Sequence, residues 1–278
     1  MGETGGTTLS NAAAAMCSYT GKGITSRQEI TVTTRAGAPG QGIVFEIPNP
    51  KSAGEKILIP ARAESVVNTL RNVTLGKESA RLCIVEHYLA AVALWGLEDL
   101  TTTVDGPEMP LGDGSANFWI DMLSDCAVAS NKENWLRIDL PEPVQVCKGD
   151  RSIIAIPDSQ FSVSYLMDWN HPMIGKRWQT WSPSQPIAEV TDARTFGSMK
   201  EHEMLGLTKD VVSLTEDGFT SPLRFEDEPV RHKLLDLIGD LTLIGFNPLR
   251  LNARIISIKG GHELDVQIAK KLIAALNR

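Results

Sequence analysis

Arg224-Phe-Glu-Asp-Glu-Pro-Val-Arg-His232-Lys233-Leu-Leu-Asp236-Leu-Ile-Gly-Asp240 reads as a helix with one apolar and one chemical face. The acidic run Glu226-Asp227-Glu228 followed by Pro229 is a helix start, because carboxylates favour the positive end of the helix dipole and proline is tolerated in the first turn. At roughly 100° per residue, Leu234, Leu235, Leu237, Ile238 and Leu241 gather on one side, while His232, Asp236 and Asp240 fall within about 80° on the other. His232 and Asp236 lie one turn apart, so both side chains reach a single point.

A neutral imidazole and a carboxylate on one turn suit a zinc ion, which needs further ligands from elsewhere in the chain. Alone the pattern is weak, since polar residues on a helix face are ordinarily solvated. A second stretch changes its weight. Leu82-Cys-Ile-Val-Glu86-His87-Tyr-Leu-Ala-Ala-Val-Ala-Leu-Trp-Gly is apolar on nearly every side at helical spacing, as a buried helix is. Two ionisable neighbours at its start then need a partner, because an unpaired buried charge is costly. A buried salt bridge or hydrogen-bonded pair is one answer. A metal is the other, with His87 as third ligand and Glu86, pointing about 100° away, free to act on a water.

Working outward, 278 residues make one large or two ordinary domains. The net charge of −7 argues against a general nucleic-acid binder, and no run of about eighteen apolar residues is present to span a membrane. Cys17, Cys83, Cys126 and Cys147 are scattered without a Cys-x-x-Cys pair, so neither a disulfide scaffold nor a cysteine zinc site is expected, and a reducing compartment fits. Residues 1–20, small and polar with an alanine run at 12–15, lack the basic start and apolar core of a secretory signal and read as a loose terminus.

Alternation predicts strands over 28–35, 42–47, 100–104, 152–157, 161–167 and 253–259, with Gly37, Pro39 and Gly40 marking a turn. The turn-rich Asp105-Gly-Pro-Glu-Met-Pro-Leu-Gly-Asp113-Gly-Ser115 is a loop before a helix over 117–123. Further helices are expected over 200–205 and 264–276. His262, after a strand and the flexible Gly260-Gly261, can be delivered to a site built elsewhere as a general acid. His171 and His202 read as structural or exposed. Strands then helix recurs in both halves without a residue-level repeat. The expected class is α+β: two similar domains, each a sheet-and-helix unit, packed face to face across a shared site. The boundaries fall at 21–126 and 127–278, with a polar link over 124–134 and an inserted segment at about 190–222.

Six ordered motifs carry a family resemblance: Val85-Glu86-His87; Asp105-Gly-Pro-Glu with Asp113-Gly-Ser-Ala; Asp168-Trp169-Asn-His171-Pro172; Ala193-Arg-Thr195-Phe196-Gly197; Leu223-Arg-Phe-Glu-Asp-Glu with Arg231-His-Lys-x-x-Asp-x-Ile-Gly-Asp240; and Lys259-Gly-Gly-His262. From about residue 21 onward the chain resembles the UDP-3-O-acyl-N-acetylglucosamine deacetylases, zinc amidases of lipid A biosynthesis. The resemblance implies that His87, His232 and Asp236 hold Zn2+, with Fe2+ able to accept the same set. It implies Glu86 as general base and His262 as the residue that protonates the departing amine. Thr195 then supports the oxyanion, Lys233 and Asp240 stand beside the metal with Asp240 orienting His262, and Phe196 lines the pocket. Asp168, Trp169 and Lys259 match positions that contact uridine, Trp169 standing where the family usually has Phe. A cytoplasmic monomer acting on UDP-3-O-acyl-N-acetylglucosamine is the corresponding expectation.

Two departures bear on substrate rather than metal. The family's Gly-x-Gly-Leu-His-Ser-Gly turn is Gly21-Lys-Gly23-Ile-Thr25-Ser26-Arg27, and its Gly-Gly-Ser-x-Asp-Asn segment appears only as Gly206-Leu-Thr-Lys-Asp210. A zinc amidase of altered substrate and a non-catalytic nucleotide-sugar binder therefore stand as alternatives. Retention of Glu86 and His262 argues against the binder, which needs neither base nor acid.

Overall fold

In the computed structural model, which describes residues 16–126, 130, 132–207 and 211–277, alternating apolar positions build two open sheets. The first half runs β1 (Met16–Lys22), β2 (Glu29–Ala36), β3 (Ile43–Pro48), β4 (Lys56–Pro60), a small three-stranded sheet of β5 (Val66–Asn68), β6 (Thr74–Lys77) and β7 (Ala80–Cys83), then α1 (Glu86–Trp95), β8 (Leu100–Val104) and α2 (Asn117–Ser124). The second half runs β9 (Ile138–Asp139), β10 (Val144–Lys148), β11 (Arg151–Pro157), β12 (Ser162–Trp169), β13 (Gly175–Trp181), α3 (Ala188–Thr191), β14 (Phe196–Ser198), α4 (Met199–Leu205), β15 (Val212–Leu214), α5 (Glu228–Leu241), β16 (Leu251–Ile258) and α6 (His262–Leu276).

The halves share one topology. The first sheet is ordered β1-β2-β8-β3-β4 and the second β10-β11-β16-β12-β13, so in each the last strand enters between the second and third. In both it runs antiparallel to the second strand and parallel to the third. A parallel neighbour needs a crossover, and α1 and α5 are those crossovers. The short β5–β7 sheet is inserted before α1, and α3, β14, α4 and β15 before α5. The class is α+β, as expected.

Period-two burial explains the first sheet: Ile30, Val32 and Thr34 of β2 point inward. The inward Thr34 hydroxyl is satisfied by Tyr88 Oη at 2.8 Å and Thr102 Oγ1 at 3.3 Å, which seats α1 on this sheet. On the other side α5 lies on β12 and β13, and α6 on β10 and β11. Helix α1 is buried on all sides because it packs on its own sheet and, face to face, on α5. A single hydrophobic core runs through both halves. Helices α1 and α5 come close at Gly239 of α5, where any Cβ would overlap the Glu86 carbonyl of α1.

Three expectations change. Residues 16–20 are not loose, because β1 starts at Met16 and pairs with β2 along its whole length; residues 1–15, including the alanine run, lie outside the described residues. Cys17 and Cys126 form a buried disulfide across 109 residues. Spacing in sequence carried no sign of it, since the pair meets only where β1 passes the end of α2. Within the link over 124–134, residues 132–134 form a 3-10 turn, while 127–129 and 131 lie outside the described residues, as do 208–210 of the inserted segment.

Candidate active site

Glu86 and His87 open α1 directly after Ile84, a β-branched residue at φ 62°. Such backbone is rare for β-branched residues and turns the chain sharply, so the helix begins with both side chains facing α5. Glu86 Oε2 accepts a hydrogen bond from the Val73 amide at 3.0 Å, which fixes a buried carboxylate that the apolar helix could not hold alone.

On α5, His232 donates from Nδ1 to the Ala193 carbonyl at 3.0 Å, which directs Nε2 toward Asp236 Oδ1, 3.4 Å away. His87 Nε2 lies 3.6 Å from the same oxygen, and the two rings meet edge to face at 4.9 Å. Burial outweighs the pull of Asp236 and lowers His232 to about 4, so its imidazole is neutral. Asp236 is held well below an ordinary carboxylate: burial opposes ionisation, but Lys233 and His232 overcome it, Lys233 Nζ donating to Oδ2 at 2.7 Å. His87 Nδ1 and Asp236 Oδ1 are buried without a hydrogen-bond partner among the described residues.

Two imidazoles and a carboxylate whose free oxygen faces both are the donor set of a divalent metal with open positions.

His262 begins α6 rather than sitting in the preceding turn, with Gly261 at φ 145° as its N-cap. Its Nδ1 is 2.7 Å from Asp240 Oδ2. Burial disfavours the imidazolium, but the charge and hydrogen bond of Asp240, reinforced by Asp236 and Glu86, outweigh it and raise His262 above an ordinary histidine. These groups form the floor of a cavity of about 530 Å³. Thr195, Phe196 and Trp169 line it too, with Thr195 N donating to the Gly114 carbonyl at 2.7 Å and the Trp169 and Phe196 rings 5.1 Å apart. Glu228 ties this loop to the start of α5 by accepting from Arg194 N at 2.9 Å and Arg224 N at 2.6 Å. Asp168 and Lys259 meet at the ends of β12 and β16, Lys259 Nζ being 3.0 Å from Asp168 Oδ2.

Of the twelve expected site residues, nine, Trp169 among them, line the cavity; Asp240 is hydrogen-bonded to His262 on the lining, while Asp168, next to Trp169 in the chain, and Lys259 are paired with each other off the lining. His202, read as structural or exposed, is buried on the lining, with Nδ1 2.7 Å from Ser213 Oγ. Thr25, singled out as a departure that bears on substrate, is also on the lining, its amide donating to Glu108 at 3.1 Å. Sequence reasoning missed Asp265, which lies one turn beyond His262, buried with both oxygens unpartnered among the described residues, although that spacing was readable.

Fold and site together define a metal-dependent hydrolase. The family model for LpxC, UDP-3-O-acyl N-acetylglycosamine deacetylase, matches residues 9–274. The chain is 36% identical over 279 residues to the UDP-3-O-acyl-N-acetylglucosamine deacetylase of Trichormus variabilis, covering 93% of this chain and 96% of that one. It is 34% identical to the protein of the same name from Thermosynechococcus vestitus, over 91% of this chain and 90% of that one, and 33% identical to that of Geotalea uraniireducens, over 92% and 85%. The chain belongs to the UDP-3-O-acyl-N-acetylglucosamine deacetylase family.

Proposed function

We propose that this protein hydrolyses the N-acetyl group of UDP-3-O-acyl-N-acetylglucosamine, giving the free amine and acetate, in lipid A biosynthesis. The observation that carries the reading is the gathering of Glu86 and His262 with the His87, His232 and Asp236 group in one cavity. An amide is a poor electrophile with a poor leaving group, so its hydrolysis needs a polarised carbonyl, a deprotonated water and a proton for nitrogen. Zinc is the metal of choice for this ligand set; when bound by His87, His232 and Asp236 it supplies Lewis acidity for the first two needs.

The remaining work falls to side chains. Glu86, anchored at Oε2 by the Val73 amide, takes the proton of the attacking water at its other oxygen. His262, kept protonated by Asp240, gives its Nε2 proton to the amine nitrogen as the C–N bond breaks. The Thr195 hydroxyl donates to the oxygen that gains negative charge, and the Lys233 ammonium stabilises the same charge. Phe196 closes the pocket beside the reacting carbonyl. Asp168, Trp169 and Lys259 hold the uridine, the indole by stacking.

The apolar wall of the cavity suits the acyl chain: Ile24, Ile84 and Leu111 form a cluster separate from the main core, joined by Leu207 and Val211. Two domains dividing at about residue 126 are supported by the two separate sheets. Among the described residues no helix is long and apolar enough to cross a membrane. The cytoplasmic assignment rests on a nucleotide-sugar substrate, not on the cysteines, whose disulfide forms under oxidising conditions.

The test is release of the 2-amine by zinc-loaded protein beside a chelated sample. Metal-dependent release is expected. Folded, metal-loaded protein that releases no amine across several acyl lengths would leave the altered-substrate or binding reading in its place.

A further inference from the structure

The cavity is not uniform. Its floor is buried and charged, its wall is apolar, and its rim carries the exposed Arg27, Arg71 and Glu201. The two arginines share an unusual feature, since both are non-glycine residues in the left-handed region, at φ 61° and 71°. Side chains rarely adopt that backbone, and where they do the surrounding structure holds them there, often at ligand clamps. Both also reach the same element. Arg27, from the turn between β1 and β2, donates from Nη2 to the carbonyl of Gly206, the residue that caps the C-terminus of α4, at 2.7 Å. Arg71, from the loop between β5 and β6, places Nη2 3.9 Å from Glu201 Oε1 on α4. The Arg27 contact is the stronger, because a guanidinium suits the negative end of a helix, whereas an exposed pair at the longer distance contributes little.

We propose that Arg27 and Arg71 form a clasp between the first half and α4 that sets the length of acyl chain the cavity accepts. This rests on the deacetylase reading of the site. A chain lying along Ile24, Ile84, Leu111 and Val211 gains roughly fourfold in affinity for each methylene it removes from water. The gain stops where the wall gives way to two guanidiniums, because a longer chain must either strip water from them or break the Arg27 bond to Gly206. The clasp is therefore a length stop, and through Gly206 it holds the end of α4 beside Leu207, which packs on the apolar cluster of the wall.

The test is the double variant Arg27→Gly with Arg71→Gly. Glycine adopts both φ values without strain, so the turns keep their path while both guanidiniums go. The ratio kcat/KM is measured for substrates differing only in acyl length. The optimum is expected to move to longer chains, with the long-to-short ratio rising by about tenfold, the worth of two methylenes or fewer. An unchanged ratio overturns the proposal, and a uniform loss at every length does so as well. A second measurement needs no turnover: straight-chain fatty acids of increasing length are titrated calorimetrically into metal-loaded wild type and variant. Affinity that continues to rise with length only in the variant supports the clasp, and parallel series overturn it. Should wild-type protein release no amine, the deacetylase reading fails while the fatty-acid series still decides the clasp.

Discussion

Glu86 and His87 are chain neighbours with different proposed duties, and the difference is testable. Glu86→Gln keeps an oxygen for the Val73 amide and leaves the ligand set of His87, His232 and Asp236 intact. Metal content, measured by atomic emission, is expected to hold while kcat falls about 10²- to 10⁴-fold, the usual worth of a general base. Loss of metal would instead assign Glu86 a structural role. His87→Ala should empty the site. For the acid, the sign follows from its cause: Asp240 holds His262 above an ordinary histidine, so Asp240→Asn removes that support and lowers the pH at which His262 loses its proton. The alkaline limb of kcat is expected to move toward neutrality, and a limb that does not move assigns it to another group. At this scale the ligand types and the i, i+4 pair were legible in sequence. The Val73 amide and the Ala193 carbonyl that orient Glu86 and His232 were not, because backbone groups carry no residue identity to read.

Helices α1 and α5 carry the chemistry because they touch, and Gly239 sets how closely. Gly239→Ala forces a methyl group into the Glu86 carbonyl and against the Ala90 amide, neither of which can swing aside. A loss of roughly 1–3 kcal/mol in denaturant unfolding is expected, as for other overpacked interiors, together with weaker metal binding as His87 and His232 separate. Gly218→Ala is the control: it has an ordinary φ and nothing within 4 Å of the added carbon, and should leave both readouts unchanged. The apolar periods of α1 and α5 and the alternation of β2, β3, β8, β11, β12 and β16 were readable from sequence. Strands β1 and β13 were not, since β1 is largely exposed and polar and β13, with Lys176, Arg177 and Trp178 in a row, shows no clean alternation. Both are edge strands, placed by pairing rather than by burial.

The whole molecule repeats one topology twice, and the shared core between the repeats contains the site. A metal held by His87 of α1 and by His232 and Asp236 of α5, as proposed, would therefore stabilise the assembly of the halves. Chelation is expected to lower the melting temperature, by an amount that reaches about 4 kcal/mol in unfolding free energy when free metal exceeds its Kd a thousandfold. The same Tm with and without chelator would separate the metal from the fold. Cys17→Ser with Cys126→Ser releases a 109-residue crosslink and should also lower Tm, yet leave metal content unchanged, because neither cysteine lines the cavity. If reductant alone leaves wild-type Tm unmoved, the two thiols are not bonded in the isolated protein. The sequence by itself determined the α+β class and the two buried helix faces, and it marked out His87, His232 and Asp236 as candidate ligands, because hydrophobic periodicity and side-chain chemistry are local properties. Only the tertiary structure decided the strand order, the Cys17–Cys126 bond, the capture of His202 on the cavity wall and the meeting of Arg27 and Arg71 with α4. Each of these joins residues far apart in the chain, and such contacts are selected by the packing of the whole rather than by any pattern within a window.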